Sequence, residues 1–392
     1  MPDQAIPDPT PVRAFLELRH LELAARVATF AAEQIASLPT PADDAGAREQ
    51  AREILGRLGA AGWLGAVVPA EAGGWPAAPD LRACCLVREA LAAASPLADA
   101  VFALQCLGSL PITLGGGPAQ RQAWLPRVLR GEAMTAFAMT EPEAGSDVGG
   151  LATTAVRDGN GWRLDGRKTL ISNAGIADVY CVFAATDRAA GSRGVSCFLV
   201  PADAAGLRFA GAQVLSAPHP LGELAFESCR LAGDALLGEE GGGFKLGMRT
   251  LDRLRPTVAA AACGMGARAL AEALAHAGAR HQFGQPLASF QLVQAKLATM
   301  ATELTAARLL TYRAAWEADQ GAVRITLEAA MAKAYATEAA QRIVDQAVQV
   351  LGGRGVLADH PVDRLYRAVR ALRIYEGTTE VQQLVIARQL LG

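Results

Sequence analysis

The chain carries almost no excess of charge. Its 37 Lys and Arg against 39 Asp and Glu leave a formal charge of −2 over 392 residues. A nucleic-acid binder ordinarily presents a basic face, so the overall balance gives no electrostatic case for DNA or RNA. Long apolar runs are missing too. Mean hydropathy is +0.19, but the apolar residues are mostly Ala broken by Arg, Glu, Asp and Gln. No uninterrupted stretch reaches the 18 or more residues that a spanning helix needs, and no membrane segment is expected. The N-terminal MPDQAIPDPTPVRAF has neither a basic nor an apolar region, so it reads as a Pro-rich tail rather than a secretory signal. The seven cysteines (Cys84, Cys85, Cys106, Cys181, Cys197, Cys229, Cys263) are odd in number and form no CxxC pair. They predict buried thiols in a reducing cytoplasm, with no metal site. There is no internal repeat, no GxGxxG after a strand and no GxxxxGKS, so if a nucleotide cofactor binds, it binds by other means.

What is present is ample core material, with 51% hydrophobic and 19% charged residues, which excludes a disordered chain. The pattern has three sections. Residues 1–131 read as helical. Leu16, Leu23, Val27 and Phe30 form one apolar stripe, AREQAREILGRLGAAGW closes on glycines, VVPAEAGGWPAAPDL is a loop, and further helix is interrupted at Gly115-Gly116-Gly117-Pro118. Residues 132–240 switch to strands. TTAVRDGNGWRLDGRK alternates on either side of Asp158-Gly159-Asn160-Gly161, a hairpin signal. VYCVFAAT, GVSCFLV, GLRFA and GELAFESCRL add strands to what reads as an antiparallel sheet or small barrel. Residues 241–392 return to helix, with Val258, Ala262, Met265, Ala269 and Leu274 on one face and similar patterns over 292–316 and 327–351. The expected class is α+β.

Four clusters can carry chemistry. In 138–147, AMTEPEAGSD, Pro142 and Gly145 force an irregular backbone that leaves amides and the hydroxyls of Thr140 and Ser146 free for a ligand; by itself it is a turn. In 166–175, GRKTLISNAG reads as an edge strand running into a loop. In 280–287, RHQFGQPL breaks two long helices, and its Arg, aromatic and Gln could hold a phosphate or an adenine as well as simply stop a helix. The last is QVLGGRG over 349–355 followed by YEGTTE over 375–380. Glycines at a helix end expose backbone N–H groups to an anion. Glu376 sits where a helix begins, and a Glu there is either a cap or a carboxylate projecting into a cavity.

In these segments and in this order, from about residue 12 to the C-terminus, the sequence resembles the acyl-CoA dehydrogenase family of flavoproteins. TEPEAGSD, RHQFGQPLASFQ, QVLGGRG and YEGTTE carry the resemblance. It implies an N-terminal helical domain, a middle antiparallel β-domain and a C-terminal four-helix bundle. It also implies a homotetramer built as a dimer of dimers, with FAD bound across a subunit interface. Phe137, Met139 and Thr140 match contacts to the flavin ring, and Ser172 meets the flavin from the second cluster. Ser146 matches a contact to FAD phosphate or to the pantetheine arm. Arg280, Gln282 and Phe283, with Gln291, Gln349 and Gly353, match positions that bind the FAD of a neighbouring subunit. Thr378 and Glu380 match further FAD contacts. Asp252 and Arg255, with Gly377 and Ser146, match substrate-binding positions. Glu376 matches the base that removes the α-proton of an acyl-CoA. The family implies electron-transfer flavoprotein as acceptor and a place in fatty acid metabolism.

Departures from the pattern are Leu170, where many relatives have Trp, and Ser172 for the more common Thr. Leu254 stands where some branched-chain and long-chain members carry the base, and it cannot ionise. Asp99 and Ala103 fall near the acyl-pocket end; a carboxylate pointing inward there disfavours a plain apolar tail. Three other readings share the fold. An acyl-CoA oxidase usually has a further C-terminal domain, a desulfinase or nitroalkane oxidase tends to alter the base, and a DNA-binding flavoprotein carries a basic face on a longer chain.

Overall fold

A computed structural model of the chain describes residues 6–66, 68–75 and 80–392. The expected 67–81 loop therefore lies partly outside the described residues. The first helices are α1 (Leu18–Phe30), α2 (Asp44–Ala60), α3 (Leu81–Ala94), α4 (Pro96–Gly115) and α5 (Pro118–Leu129). The strands follow as β1 (Thr135–Ala138), β2 (Thr154–Asp158), β3 (Gly161–Ser172), β4 (Val179–Ala185), β5 (Val195–Pro201), β6 (Leu207–Ala212) and β7 (Leu221–Leu231). Then come α6 (Gly243–Ala279), a short hairpin of β8 (His281–Gln282) and β9 (Gln285–Pro286), α7 (Gln291–Asp319), α8 (Thr326–Leu351), α9 (Pro361–Leu372) and α10 (Thr379–Leu391). The α–β–α order follows the composition of the sequence. By contacts the chain forms two compact units, Met1–Pro39 with Leu81–Asp99 and Asp252–Gly392, and Thr40–Asp80 with Ala100–Leu251.

The first unit is helical. The facing sides of α6 and α8 are mostly alanine: Ala259, Ala262 and Ala269 of one and Ala332, Ala336, Ala339 and Ala340 of the other are buried in one cluster. Alanine costs nothing in helix propensity and lets axes approach closely. The predicted α6 stripe holds for Val258, Ala262, Met265 and Ala269, but Leu274 is 50% exposed and Ala273 is buried instead. At about 100° per residue, the fifth residue beyond Ala269 lies well round the helix, whereas the fourth stays on the same face. Leu16 likewise precedes α1, as the extended residue that ends a 3-10 turn over Thr10–Phe15. Asp319 at the end of α7 accepts the backbone N–H groups of Leu81 (2.8 Å) and Arg82 (3.0 Å), capping α3.

The second unit is built on a seven-stranded sheet in the order β1-β4-β2-β3-β7-β6, with β5 also paired to β4. The hairpin read at 158–161 is β2–β3, Asp158 opposite Gly161, with Gly159 at φ 58°. The sheet is not wholly antiparallel: β1 runs parallel to β4 from Thr135↔Val179 to Ala138↔Val182. A parallel pair needs a crossover, and here the β2–β3 hairpin supplies it. Trp162, Leu164, Tyr180, Val182 and Phe198 fill the core of the sheet.

All seven cysteines are free and buried. By length and composition alone, α4 and α6 are apolar enough to cross a membrane, although polar residues interrupt both. In each, 67% and 72% of the most apolar stretch is buried in the folded chain, as in core helices of soluble folds.

Candidate active site

Glu376 lies in the turn between α9 and α10. It has φ 54°, and Gly377 follows at φ 94°. A non-glycine residue in the left-handed region costs about 1–2 kcal/mol, so surrounding groups must hold it there. They do so through the two carbonyls. Arg255 Nε (3.3 Å) and Gln382 Nε2 (3.3 Å) donate to the Glu376 oxygen, while Gln382 Nε2 (3.1 Å) and Lys333 Nζ (2.7 Å) donate to that of Gly377. Lys333 and Gln382 are wholly buried and Arg255 nearly so. A Cβ on residue 377 would collide with Gln382 Nε2, so glycine is required there by contact as well as by φ.

The backbone is thus gripped from behind while the carboxylate is left free. Glu376 is half-buried as a residue, but its Oε2 is shut off from solvent and has no hydrogen-bond partner among the described residues. Burial raises its pKa above the usual 4.5. Arg88, Lys333 and Arg255 pull it down, and Asp99 pushes it up.

Arg88 and Asp99 form a bidentate ion pair, Nε–Oδ1 2.7 Å and Nη2–Oδ2 2.9 Å, with both side chains 2% exposed. Arg88 Nη1 also donates to Thr257 Oγ1 (2.9 Å), and its charge reaches Tyr375 and Glu376. Asp99 is therefore a neutralised carboxylate, not the free one that the sequence would allow near an acyl chain. Ala103 is half-buried. Leu254, the alternative base position, is buried and apolar. Arg255 forms a short ion pair with Asp252, whose other oxygen accepts from Thr326 Oγ1 (3.3 Å). Asp252 and Arg255, two of the four residues matched to substrate binding, are thus hydrogen-bonded within their own unit.

In the second unit the first two clusters meet. Thr169 N–H donates to the Thr140 carbonyl (3.0 Å), and Lys168 Nζ donates to the Met139 carbonyl (3.0 Å) and Glu141 Oε1 (2.7 Å). Glu141 also accepts the N–H groups of Ala152 (2.5 Å) and Thr153 (3.1 Å). One buried ion pair thus ties down the irregular turn that begins at Met139. Phe137 packs on Phe183 with ring centroids 4.7 Å apart. A register shift in β3 between Lys168 and Ile171 carries Leu170 at φ 55° and leaves it 55% exposed. Ser172 Oγ bonds His219 Nε2 (2.8 Å), whose pKa burial lowers to about 4, so the imidazole is neutral. Asn173, at φ 62° and buried, donates from Nδ2 to the Thr135 carbonyl (3.0 Å). Ser146 is exposed on the outer turn.

The remaining matched residues lie elsewhere on the first unit. Gln282 and Phe283 are exposed in the β8–β9 hairpin, with Phe283 94% exposed at φ 50°. Arg280 flanks the hairpin, its carbonyl accepting from Leu287 N–H (2.8 Å), and exposed Gln291 opens α7. Gln349 and Gly353 are exposed at the far end of α8. Gln349 is sixteen residues beyond Lys333, about 24 Å along the helix at 1.5 Å per residue, so it does not lie beside the Lys333–Gly377 contact. Thr378 caps α10 by accepting Val381 N–H (3.3 Å), and Glu380 is exposed in its first turn. A groove of about 680 Å³ between α7, α8 and α9, lined by Leu292, Lys296, Tyr366 and Arg370, does not include Glu376.

The residues present fit a flavin nucleotide. An exposed leucine with the hydroxyls of Thr140 and Ser172 suits a flat ring with an apolar half and a polar edge. Asn173 Oδ1 is buried without a partner among the described residues, close in sequence to them. The exposed Arg280, Gln282 and Gln349 are of the types that hold a pyrophosphate or an adenine.

Sequence reasoning missed Arg88, Lys168, Glu141, His219, Lys333 and Gln382. Lys333 had a signal: it falls among Ala329, Ala330, Ala332 and Ala336, a helix face that periodicity makes core. A charge in that position asks for a buried role.

The chain is similar to known proteins over nearly its whole length. The chain matches the models for the acyl-CoA dehydrogenase N-terminal domain over 18–132, middle domain over 136–229 and C-terminal domain over 241–391. It is 40% identical over 365 residues to the 3-(aryl)acrylate reductase of Clostridium sporogenes, covering 92% of this chain and 96% of that one. It is 41% identical over 338 residues to the mitochondrial short-chain specific acyl-CoA dehydrogenase of Homo sapiens, covering 86% and 81%. The structure of butyryl-CoA dehydrogenase from Megasphaera elsdenii superposes with a TM-score of 0.90 at 33% identity, covering 96% of this chain and 99% of that one. The fold and these matches define a flavin-dependent oxidoreductase. More narrowly, the chain belongs to the acyl-CoA dehydrogenase family, whose members are FAD flavoproteins.

Proposed function

We propose that the enzyme desaturates an acyl-CoA thioester between its α and β carbons, with Glu376 as the base that takes the α-proton. One observation carries this: the Glu376–Gly377 backbone is clamped by three buried side chains while Glu376 Oε2 is buried and unpartnered. A carboxylate removed from water is a stronger base, and a fixed one loses no orientational freedom when the substrate arrives. The backbone N–H of Glu376 is the chain's donor to the thioester oxygen as negative charge develops there. Phe137, Met139, Thr140 and Ser172 hold the ring of FAD. Arg280, Gln282, Phe283, Gln291, Gln349 and Gly353 hold the FAD of a neighbouring subunit, with Thr378 and Glu380 as further contacts. When bound, FAD supplies the acceptor for the β-hydride, which no side chain can supply.

The exposed Phe283 and the open groove beside Leu292 support assembly into a homotetramer, and we take electron-transfer flavoprotein as the acceptor. Seven buried free thiols support a reducing compartment, the cytoplasm. Solvent deuterium exchange tests the role of Glu376 directly. The holoenzyme should exchange the α-proton of a bound acyl-CoA, and Glu376→Gln should lose at least about 10²–10⁴-fold of that rate. Exchange at the wild-type rate in Glu376→Gln would assign the base elsewhere.

A further inference from the structure

Lys333 is wholly buried in α8, and among the described residues no carboxylate is in ion-pair contact with it. Its ammonium donates to the carbonyl of Gly377 at 2.7 Å, one residue from Glu376. A buried cation that only a carbonyl contacts is costly, and cores rarely keep one without a role. The ammonium is therefore bonded to the residue that follows Glu376 and, among the described residues, not to the Glu376 carboxylate, whose Oε2 is buried and unpartnered.

Resting on the reading of Glu376 as base, we infer that Lys333 is a positioning residue for the proton-transfer step. It fixes the left-handed Glu376–Gly377 turn through the Gly377 carbonyl, and its charge favours the ionised form of the Glu376 carboxylate without blocking it. A direct salt bridge would favour ionisation more strongly but would occupy the oxygens that must take the proton. Delivering the charge across one peptide carbonyl leaves Oε2 open.

The charges around the pair are Arg88 on α3, Asp99 on α4 and Arg255 on α6 facing Glu376. Arg255, Glu338 on α8 and Glu380 on α10 face Lys333. Burial lowers the pKa of Lys333 to about 8, and Glu376 is the first charge that opposes that shift.

The test is the pH profile of kcat/KM for the holoenzyme and for Lys333→Met and Lys333→Arg. Lys333→Met should move the acidic limb upward by about one pH unit, the low end for loss of a nearby opposite charge. The activity loss is then about tenfold below the limb and shrinks as pH rises. Lys333→Arg, which keeps the charge, should restore the limb. A loss in Lys333→Met that is equal at every pH would leave only a structural role and overturn the inference.

A second readout needs no catalysis. Lys333 is less basic in the folded than in the unfolded chain, so the unfolded state binds more protons between the two pKa values. Stability therefore rises with pH from about 8 toward 10.5, and Lys333→Met abolishes that part of the rise. In the Glu376→Gln background the same Lys333-dependent part should begin at lower pH, because the opposing carboxylate is gone. If it begins at the same pH, the two charges do not act on each other and the inference fails, whatever the kinetics show. Full activity of Glu376→Gln would instead defeat the base assignment, and this second readout would stand apart from it.

Discussion

Gly377→Ala should damage both the fold and the chemistry, by an amount the structure allows to be worked out. The residue sits at φ 94°, and placing alanine in the left-handed region costs about 1–2 kcal/mol. Its Cβ would also strike Gln382 Nε2, which is wholly buried and cannot swing into solvent. Displacing that amide breaks its bonds to the carbonyls of Glu376 (3.3 Å) and Gly377 (3.1 Å), each worth about 0.5–1.5 kcal/mol. The sum is about 2–5 kcal/mol, readable by urea unfolding of the holoenzyme. Because the base we propose is the preceding residue, its carboxylate moves too, and a misplacement of about 1 Å can cost about 10²-fold in rate. Part of the stability loss is collision, so Gly377→Ala should cost at least about 1 kcal/mol less when Gln382 is already Ala. A Gly377→Ala enzyme within about 0.5 kcal/mol of wild type and with unchanged kcat/KM would refute the clamp as the device that sets the base.

The raised pKa of Glu376 means that the folded state holds its proton more tightly than the unfolded one. Stability attributable to it therefore falls as pH rises from about 4.5 through its folded pKa. Glu376→Gln should be more stable than wild type at neutral pH, with the difference vanishing below about pH 4.5; an unchanged difference across that range would count against burial as the cause. Breaking the Arg88–Asp99 pair with Asp99→Asn strands a buried guanidinium and should cost about 3–5 kcal/mol. Replacing both by Leu should cost much less than the two single changes summed, as chemical denaturation can show. Lys168→Met leaves buried Glu141 without its cation, frees the Met139 carbonyl and should cost a similar amount. Weaker FAD retention, read by equilibrium dialysis, should accompany it, and retention equal to wild type would show that the pair does not hold the turn we assign to the flavin.

Much of this architecture was legible because it is local. The β2–β3 turn is written in Asp158-Gly159-Asn160-Gly161, and the long helices in their alanine-rich period. The pairing of β1 with β4 was not legible. The two strands are separated by some forty residues, and nothing in either records a partner that distant. At the site, Glu376 and Gly377 stood out as a motif, but the residues that hold them did not. Arg255, Lys333 and Gln382 come from three different helices and converge only through tertiary packing. Asp99 was noticed as a carboxylate, and only the fold reveals that Arg88, eleven residues earlier, neutralises it. Lys333 interrupts an apolar face, which marks a position as unusual without saying what it serves.

The most direct measurement is an anaerobic titration of the flavin's visible band with a panel of short-chain, alicyclic and aryl-substituted acyl-CoAs. At least one saturated acyl-CoA should bleach the flavin of the wild-type enzyme, and Glu376→Gln should keep its FAD yet not be bleached by the same compound. A yellow wild-type protein that no acyl-CoA bleaches, or a Glu376→Gln protein bleached as fast as wild type, would contradict the proposed reaction.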